Sequence, residues 1–143
     1  MITTFSEQVY VKAANAFGTA IVDGEFPASG SYYDVSDYER FAFIITAGAS
    51  NTAQVCQVQQ AAAVDSTAKD ITGAVQTVGA GDDGEVFIIE VETRRLDLNN
   101  GYNYVTLDVT GATGDDYLAI VFVGINPGAA PVTQQNTAVI VAG

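Results

Sequence analysis

The sequence contains no histidine, no tryptophan and a single cysteine among 143 residues. Histidine is the commonest general base and the commonest metal ligand, so its absence excludes Ser-His-Asp and Cys-His catalytic arrangements. One cysteine excludes an intrachain disulfide and a zinc site built on cysteines. Cys56 stands in a strand-like segment without a basic neighbour, which favours a buried structural thiol over a nucleophile.

Basic residues are also scarce, with five Lys and Arg against 17 Asp and Glu, for a net charge of −12. A surface that binds nucleic acid needs clustered bases, and here only Arg94 and Arg95 are adjacent. We therefore expect no nucleic acid partner. The 48% content of hydrophobic residues nevertheless predicts an ordered chain with one core, since this length suits one domain.

The sequence shows no long apolar run, and we expect no secretory leader. The first seven residues have neither a basic region nor an apolar run. The uncharged stretches 41–64 and 117–143 are interrupted by glutamines and by Pro127 and Pro131, so neither predicts a membrane span. These features predict a soluble protein made in a reducing compartment, with no membrane partner.

The sequence is rich in short runs of Val, Ile, Phe, Tyr and Thr, divided by clusters of Gly, Asp and Asn. This pattern is typical of an all-β fold, here a single-domain antiparallel sandwich or barrel with extended terminal segments. Residues 1–18 would form an N-terminal arm or first strand, residues 19–124 the β-domain, and residues 125–143 an extended C-terminal segment with a last strand. The expected strands cover residues 8–11, 19–23, 41–47, 53–61, 74–78, 85–92, 102–110, 117–124 and 137–141.

Local signals refine this prediction. Asn100-Gly101 suits a type I′ hairpin turn, residues 79–84 and 111–116 predict further turns, and Ser36 and Glu39 have the spacing of a capping box on one helical turn. Residues 41–45 and 117–123 are apolar on both strand faces. Such strands are either central and covered on both sides, or they meet another subunit with their second face.

Other candidate sites have simpler explanations. The pairs Asp82-Asp83 and Asp115-Asp116 raise a calcium hypothesis, but turn chemistry accounts for aspartate between glycines, so we predict no metal site. The glycine-rich segment 79–84 is no phosphate loop, since it lacks the lysine and Asp82, Asp83 and Glu85 would repel a phosphate. Four tyrosines could stack against a sugar, but half-buried tyrosines of a sheet or an interface are the commoner case. These residues are Tyr32, Tyr33, Tyr102 and Tyr104. We therefore expect neither an enzyme nor a cofactor.

The two ends carry apolar residues outside the turn-rich body. Pro127 and Pro131 favour an extended connector, and a terminal apolar strand beyond it must pair with its own sheet or with a neighbouring chain. We hypothesise that the terminal segments bind adjacent subunits, since a strand can add to another sheet edge. The candidate interface residues are Phe5, Val9, Val11, Pro127, Pro131, Val139, Ile140 and Val141.

The order of several segments resembles small head proteins of tailed bacteriophages. These segments are residues 31–40, 57–61, 65–71, 89–91, 96–105, 124–127 and 130–133. Such proteins are taken to be capsid decoration, or cement, proteins, so the resemblance implies an all-β subunit that forms homotrimers on the outer surface of the shell. It implies the major capsid protein as partner and assembly in the host cytoplasm. Many relatives carry a base near the proline of the penultimate segment, whereas Pro127 is followed here by Gly128.

Two further functions remain as alternatives. One is a receptor- or carbohydrate-binding module displayed on the virion, such as the base of a head fibre. The other is a hydrolase or lectin-like β-domain of cellular origin. The strong negative charge favours the shell exterior over the interior, where it would oppose packing of DNA.

Overall fold

The computed structural model describes residues 5–15, 18–128 and 134, and it is built almost entirely from antiparallel strands. The strands are β1 (Val9–Asn15), β2 (Ala20–Phe26), β3 (Tyr33–Asp34), β4 (Tyr38–Ala47), β5 (Gln54–Ala61), β6 (Lys69–Val78), β7 (Val86–Glu92) and β8 (Tyr104–Pro127). Helical structure in the described ranges consists of α1 (Phe5–Gln8) and two 3-10 turns, Thr93–Arg95 and Leu98–Asn100. The prediction of a single-domain, antiparallel all-β fold is confirmed.

Strand β8 runs through both layers of the molecule. Its second half lies between β1 and β4, with β7 next to β4. Its first half lies between β2 or β3 on one side and β5 on the other, with β6 next to β5. We call the sheet of β1, β8, β4 and β7 the first layer, and the sheet of β2, β3, β8, β5 and β6 the second layer. The strand order β6-β5-β8-β4-β7 makes a nearly closed barrel.

The layers meet where β8 bends, around residues 111–117. Gly111 and Gly114 have φ of 87° and 90°, a region that L-residues with side chains rarely adopt. A Cβ on Gly111 would also stand 2.5 Å from the carbonyl oxygen of Ala53. The predicted turn at residues 111–116 is therefore wrong. Pairing with β2 and β5 carries the chain through the bend as one strand, and register shifts in β2 absorb the curvature.

The core lies between the layers and is built from alternate residues of each strand. Phe122 is at its centre, with its ring centroid 5.5 Å from that of Phe43 and 4.3 Å from that of Tyr33. Leu107 and Val109 of the second layer are fully buried in the same core. Burying each such side chain contributes roughly 1.5–3 kcal/mol to the free energy of unfolding.

Two local predictions are wrong because tertiary contacts override them. Gly101 has φ of 80°, but Asn100 does not have the positive φ that a type I′ turn needs. The pair instead ends a 3-10 turn, because the N–H of Asp97 donates to Gln60 of β5 and the carbonyl oxygen of Asp97 accepts from the N–H groups of Asn100 and Tyr102.

The predicted helical turn at residues 36–39 is a β-turn. The N–H of Tyr38 donates to the carbonyl oxygen of Val35, and the Ser36 hydroxyl donates to Asp34. Tyr38 and Glu39 already belong to β4, whose pairing with β8 extends the backbone there.

The C-terminal end of the sheet also differs from expectation. Strand β8 continues to Pro127, which pairs with Tyr38, so residues 125–127 belong to the sheet rather than to an extended connector. Proline is tolerated there because it ends the strand. Pro131 and the predicted strand 137–141 lie outside the described residues. In the described ranges, no helix has the length and apolar character needed to cross a membrane.

Candidate interaction surface

The first layer has an apolar outer face as well as an apolar inner face. In β4, Phe41, Phe43 and Ile45 are buried in the core, so the alternating side chains of Ala42 and Ile44 point outwards. The register places these two beside outward residues of β8 and β7. The apolar members of this outer face are Val9, Val11, Ala13, Ala42, Ile44, Val86, Ile88, Ala119, Val121, Val123 and Ile125.

Part of this face is already covered. Seven of its side chains form a cluster separate from the core, here called the outer cluster: Val9, Val11, Ala42, Ile44, Val121, Val123 and Ile125. Only 7% of Val123 and 4% of Ala42 is exposed. The strands predicted to be apolar on both faces are thus central in their layer, and their second face belongs to a second apolar cluster.

The β7 side of the face is open. Val86 is 58% exposed and Ile88 is 56% exposed, and Ile88 pairs directly with Ile44 of the outer cluster. Charged side chains are confined to one end of β7, where Arg40 forms ion pairs with Glu90 at 3.0 Å and Glu92 at 3.3 Å. The result is an exposed apolar surface on a strongly anionic protein.

Gln134 occupies the free edge of β1. The N–H of Val11 donates to Gln134 Oε1 at 3.2 Å, and Gln134 Nε2 donates to the carbonyl oxygens of Val9 at 2.5 Å and Ser6 at 2.9 Å. The side-chain amide thereby makes the hydrogen bonds that a neighbouring strand would make. This contact brings the chain beyond β8 back to the edge of the first layer.

The predicted interface residues fall in three places. Val9 and Val11 share the outer cluster, Phe5 is 67% exposed on α1, and Pro127 ends β8. The other four lie outside the described residues: Pro131, Val139, Ile140 and Val141. Sequence reasoning missed Val86, Ile88 and Gln134. The run Val86-Phe87-Ile88-Ile89, apolar on both faces, was the available signal for the first two.

Cys56 lies inside the second layer, fully buried. Burial, followed by the nearby negative charge of Asp108, raises the pKa of this thiol to about 12. A thiol with such a pKa is almost entirely protonated at neutral pH, and only the thiolate is a strong nucleophile.

The two acidic pairs have different structural roles. Asp82 accepts a hydrogen bond from the N–H of Gly79 at 2.6 Å and so closes its own turn. Asp116 is fully buried where β8 bends. Its carboxylate accepts hydrogen bonds from the N–H groups of Asn51 at 2.9 Å and Thr113 at 2.8 Å, and from three hydroxyl groups nearby.

These hydrogen bonds decide the ionisation of Asp116. Burial raises the pKa of the carboxyl, but the N–H donors of Thr113 and Asn51 and the Ser50 hydroxyl outweigh it and hold the pKa well below its usual range. Asp116 therefore ties the segment 50–52 to the bend. Within the described ranges, no group of three or more Cys, Asp or Glu residues is placed to hold a metal ion.

The tyrosines considered as a stacking platform are divided between core and surface. Tyr32 is 5% exposed and donates a hydrogen bond to Glu25 at 2.5 Å, while the Tyr33 ring packs on Phe122. Tyr102 is covered on one face by the Lys69 ammonium, 3.9 Å from the ring centroid. The four side chains do not form one exposed platform.

Known proteins similar to this chain were found among solved structures alone. No family model matches the chain, and no curated protein matches it. Among solved structures, the chain is similar to the coat protein of Tobacco streak virus, with 10% sequence identity, 95% of each chain covered and a TM-score of 0.49. Membership of the phage decoration protein family thus stays a prediction. The fold and the surface together define an all-β domain whose first layer has an apolar outer face and whose second layer has an outer face of mixed polar and apolar residues.

Proposed function

We propose that this protein is a structural protein of a virus particle, a capsid decoration subunit that binds the outside of a phage shell and bridges its capsomers. The observation that carries the proposal is the apolar outer face of the first layer, open at Val86 and Ile88, on a chain of net charge −12. Exposed apolar patches of this kind mark sites of protein association. The segment order described above supports the phage shell as the partner.

In this role the negative charge of the protein and its apolar face contribute differently. Negative charge keeps free subunits apart in solution, while the apolar face supplies adhesion once the subunit meets its partner. Each contact is small, so a homotrimer with three linked contacts binds far more tightly than one subunit. We assign Phe5 and the terminal residues 139–141 to contacts with neighbouring subunits or with the shell.

Co-sedimentation tests the proposal directly. Purified protein is mixed with capsids of the phage that encodes it and separated on a density gradient. We expect the wild type to sediment with the shells, and the variant Val86→Gln/Ile88→Gln to lose most of this binding. The matched control, Val55→Gln/Val75→Gln, changes two exposed valines of the second layer and should bind as the wild type does.

Two other results would contradict the proposal. Binding that the control variant loses to the same extent would show that the first layer is not the adhesive face. A wild type that stays at the top of the gradient, and has a solution mass of one 14.9 kDa chain, would argue against both decoration and trimerisation. Glycan-array binding by that monomer would favour the carbohydrate-binding alternative.

A further inference from the structure

The barrel is open at one seam, where strands β6 and β7 approach each other without pairing. These two strands stand at opposite ends of the sheet order β6-β5-β8-β4-β7. A cleft of about 400 Å³ lies between them, lined by residues 71–74 of β6, residues 90–92 of β7, Arg94 and Arg95. Clefts that bind ligands have volumes of roughly 300–1,000 Å³. The seam therefore has room for part of another molecule.

The backbone of β7 has hydrogen-bonding groups that point into the open side of the seam. Ala47 exchanges hydrogen bonds with the backbone of residues 84 and 85. Hydrogen-bonded and non-hydrogen-bonded pairs alternate along an antiparallel ladder. The N–H and C=O groups of Ile88, Glu90 and Glu92 are therefore directed away from β4. In the sheet formed by the described residues, no strand pairs with them.

Of the two edges at the seam, β7 is the better template for a further strand. It keeps a regular register with β4 from Val86 to Glu92, and Val86 and Ile88 are exposed on it. Strand β6 is interrupted by Gly73, whose φ is 86°, and by a register shift against β5. A regular, exposed edge with unpaired backbone groups is the kind of surface to which an extended segment adds.

The charges around the cleft favour a segment that carries a carboxylate. Glu90 and Glu92 both form ion pairs with Arg40, at 3.0 Å and 3.3 Å, and Arg94 also donates to Glu92 through its Nε. Arg95 is exposed and forms no ion pair within the described ranges. The two acids of the cleft are thus already paired, and Arg95 can bind an acidic group from a partner.

We propose that the free edge of β7 binds an extended acidic segment of the shell protein, which adds to the sheet as an antiparallel strand and places a carboxylate on Arg95. The shell protein as the source of the segment rests on the proposed function. Backbone hydrogen bonds to Ile88, Glu90 and Glu92 supply affinity, and Arg95 supplies selectivity. Because β7 runs towards Arg94 and Arg95, the N-terminal end of an antiparallel segment meets them.

Peptide probes test the edge without capsids. An acetylated peptide of alternating valine and threonine carries two aspartates at its N-terminal end, and its counterpart carries two lysines there. Each is titrated into the isotope-labelled, full-length protein and followed by NMR. We expect the acidic probe to bind about tenfold more tightly than the basic one and to slow hydrogen exchange at the amides of Ile88, Glu90 and Glu92. Equal affinity of the probes, no binding of the acidic probe, or binding that leaves these amides unchanged would overturn the proposal.

Two substitutions separate the contributions of the backbone and of the charge. Glu90→Pro removes an N–H that the fold does not use, so the variant should fold and bind the acidic probe about tenfold more weakly than Glu90→Ala, which keeps the N–H. Arg95→Gln should also weaken binding about tenfold. Its matched control, Lys12→Gln, makes the same charge change on β1 and should bind as the wild type does. If Glu90→Pro does not fold, the second pair decides, and equal affinities of Arg95→Gln and Lys12→Gln contradict the proposal.

Co-sedimentation with capsids separates this inference from the proposed function. If the wild type, Glu90→Pro and Arg95→Gln all sediment with the shells to the same extent, decoration stands and the role of the β7 edge is refuted. If the wild type binds the acidic probe but not the shells, decoration fails, and with it the shell protein as the source of the segment.

Discussion

The outer faces of the two layers are built by the same kind of strands and have opposite chemistry. On the second layer the outward residues of β5 are Val55, Gln57 and Gln59, and Asp108 of β8 lies in register with Gln57. On the first layer the corresponding positions of β4 and β8 hold Ile44 and Val121. Antiparallel sheets usually keep one face in water. The second layer follows this rule more closely, while the first breaks it and leaves Val86 and Ile88 exposed on an apolar face.

Strand β8 shows the difference within one element. Asp108 lies on the outer face of the second layer, where burial and the negative charges of Glu25, Asp70 and Asp23 raise its pKa. Residues 121–125 of the same strand present only apolar side chains on the outer face of the first layer. The outer face of the second layer therefore carries a group of negative charges. The outer face of the first layer carries apolar side chains at the corresponding part of β8.

Introducing a charge into each face should give the largest contrast. Val123→Asp places a carboxylate in the buried outer cluster, and we expect it to lower the free energy of unfolding by more than about 3 kcal/mol, because an unpaired charge is costly to bury. Val55→Asp makes the same change at a 40% exposed site of the second layer and should cost less than about 0.5 kcal/mol. Urea denaturation measures both. Equal losses would show that the faces are not distinct.

The second largest effect is expected at the bend of β8, where Asp116 is buried. Asp116→Asn removes one acceptor from a set of buried donors, and we expect a loss of about 2 kcal/mol. The folded-state pKa of Asp116 is depressed, so its ionisation stabilises the fold above the unfolded pKa of about 4. This contribution falls as the pH drops from there towards the lower folded-state pKa. Urea denaturation between pH 2 and 7 should show a weaker acid dependence in the variant than in the wild type.

Asp108 should show the opposite sign and a smaller effect. Its pKa is raised in the folded state, so its ionisation disfavours the fold at neutral pH and this penalty disappears as the pH falls through the raised pKa. We expect Asp108→Asn to stabilise the protein at pH 7 by less than about 1 kcal/mol and to have no such effect near pH 3. Thermal melts at the two pH values test this. Destabilisation at pH 7 would mean that the polar face depends on this charge.

The smallest change tests which residues of β5 face outwards, by comparing the rates at which two neighbouring thiols are labelled. Native Cys56 should react slowly with a thiol reagent, since it is buried and its pKa is about 12. A Val55→Cys variant places a thiol one residue away on the outer face of the second layer and should be labelled rapidly. The wild type reports on Cys56 alone, and fragment-ion mass spectrometry of the labelled peptide locates the label in the variant. Rapid labelling of Cys56 would mean that β5 is shifted by one residue, because such a shift exchanges the two faces.

Sequence patterns predicted strands where alternation and β-branched residues agree with tertiary pairing, as in β4, β5 and β7. They were wrong where a local preference competes with a long-range contact. Asn100-Gly101 is a strong hairpin signal, but Asp97 is bound to Gln60 and Lys69 of the second layer, and a 3-10 turn forms at Leu98–Asn100 instead. The glycines at 111 and 114 looked like turn residues, whereas the fold uses their positive φ to bend a continuous strand.

The sequence by itself determined the all-β class, the buried thiol and the presence of strands that are apolar on both sides, because composition and alternation are local properties. The tertiary structure alone decided that these strands are neighbours in one layer, that Val86 and Ile88 stay exposed beside them, and that Gln134 returns to the edge of β1. Which residues meet across a sheet depends on register and on where long strands bend. These follow from contacts between residues distant in sequence, here up to 128 positions apart, and no local pattern records them.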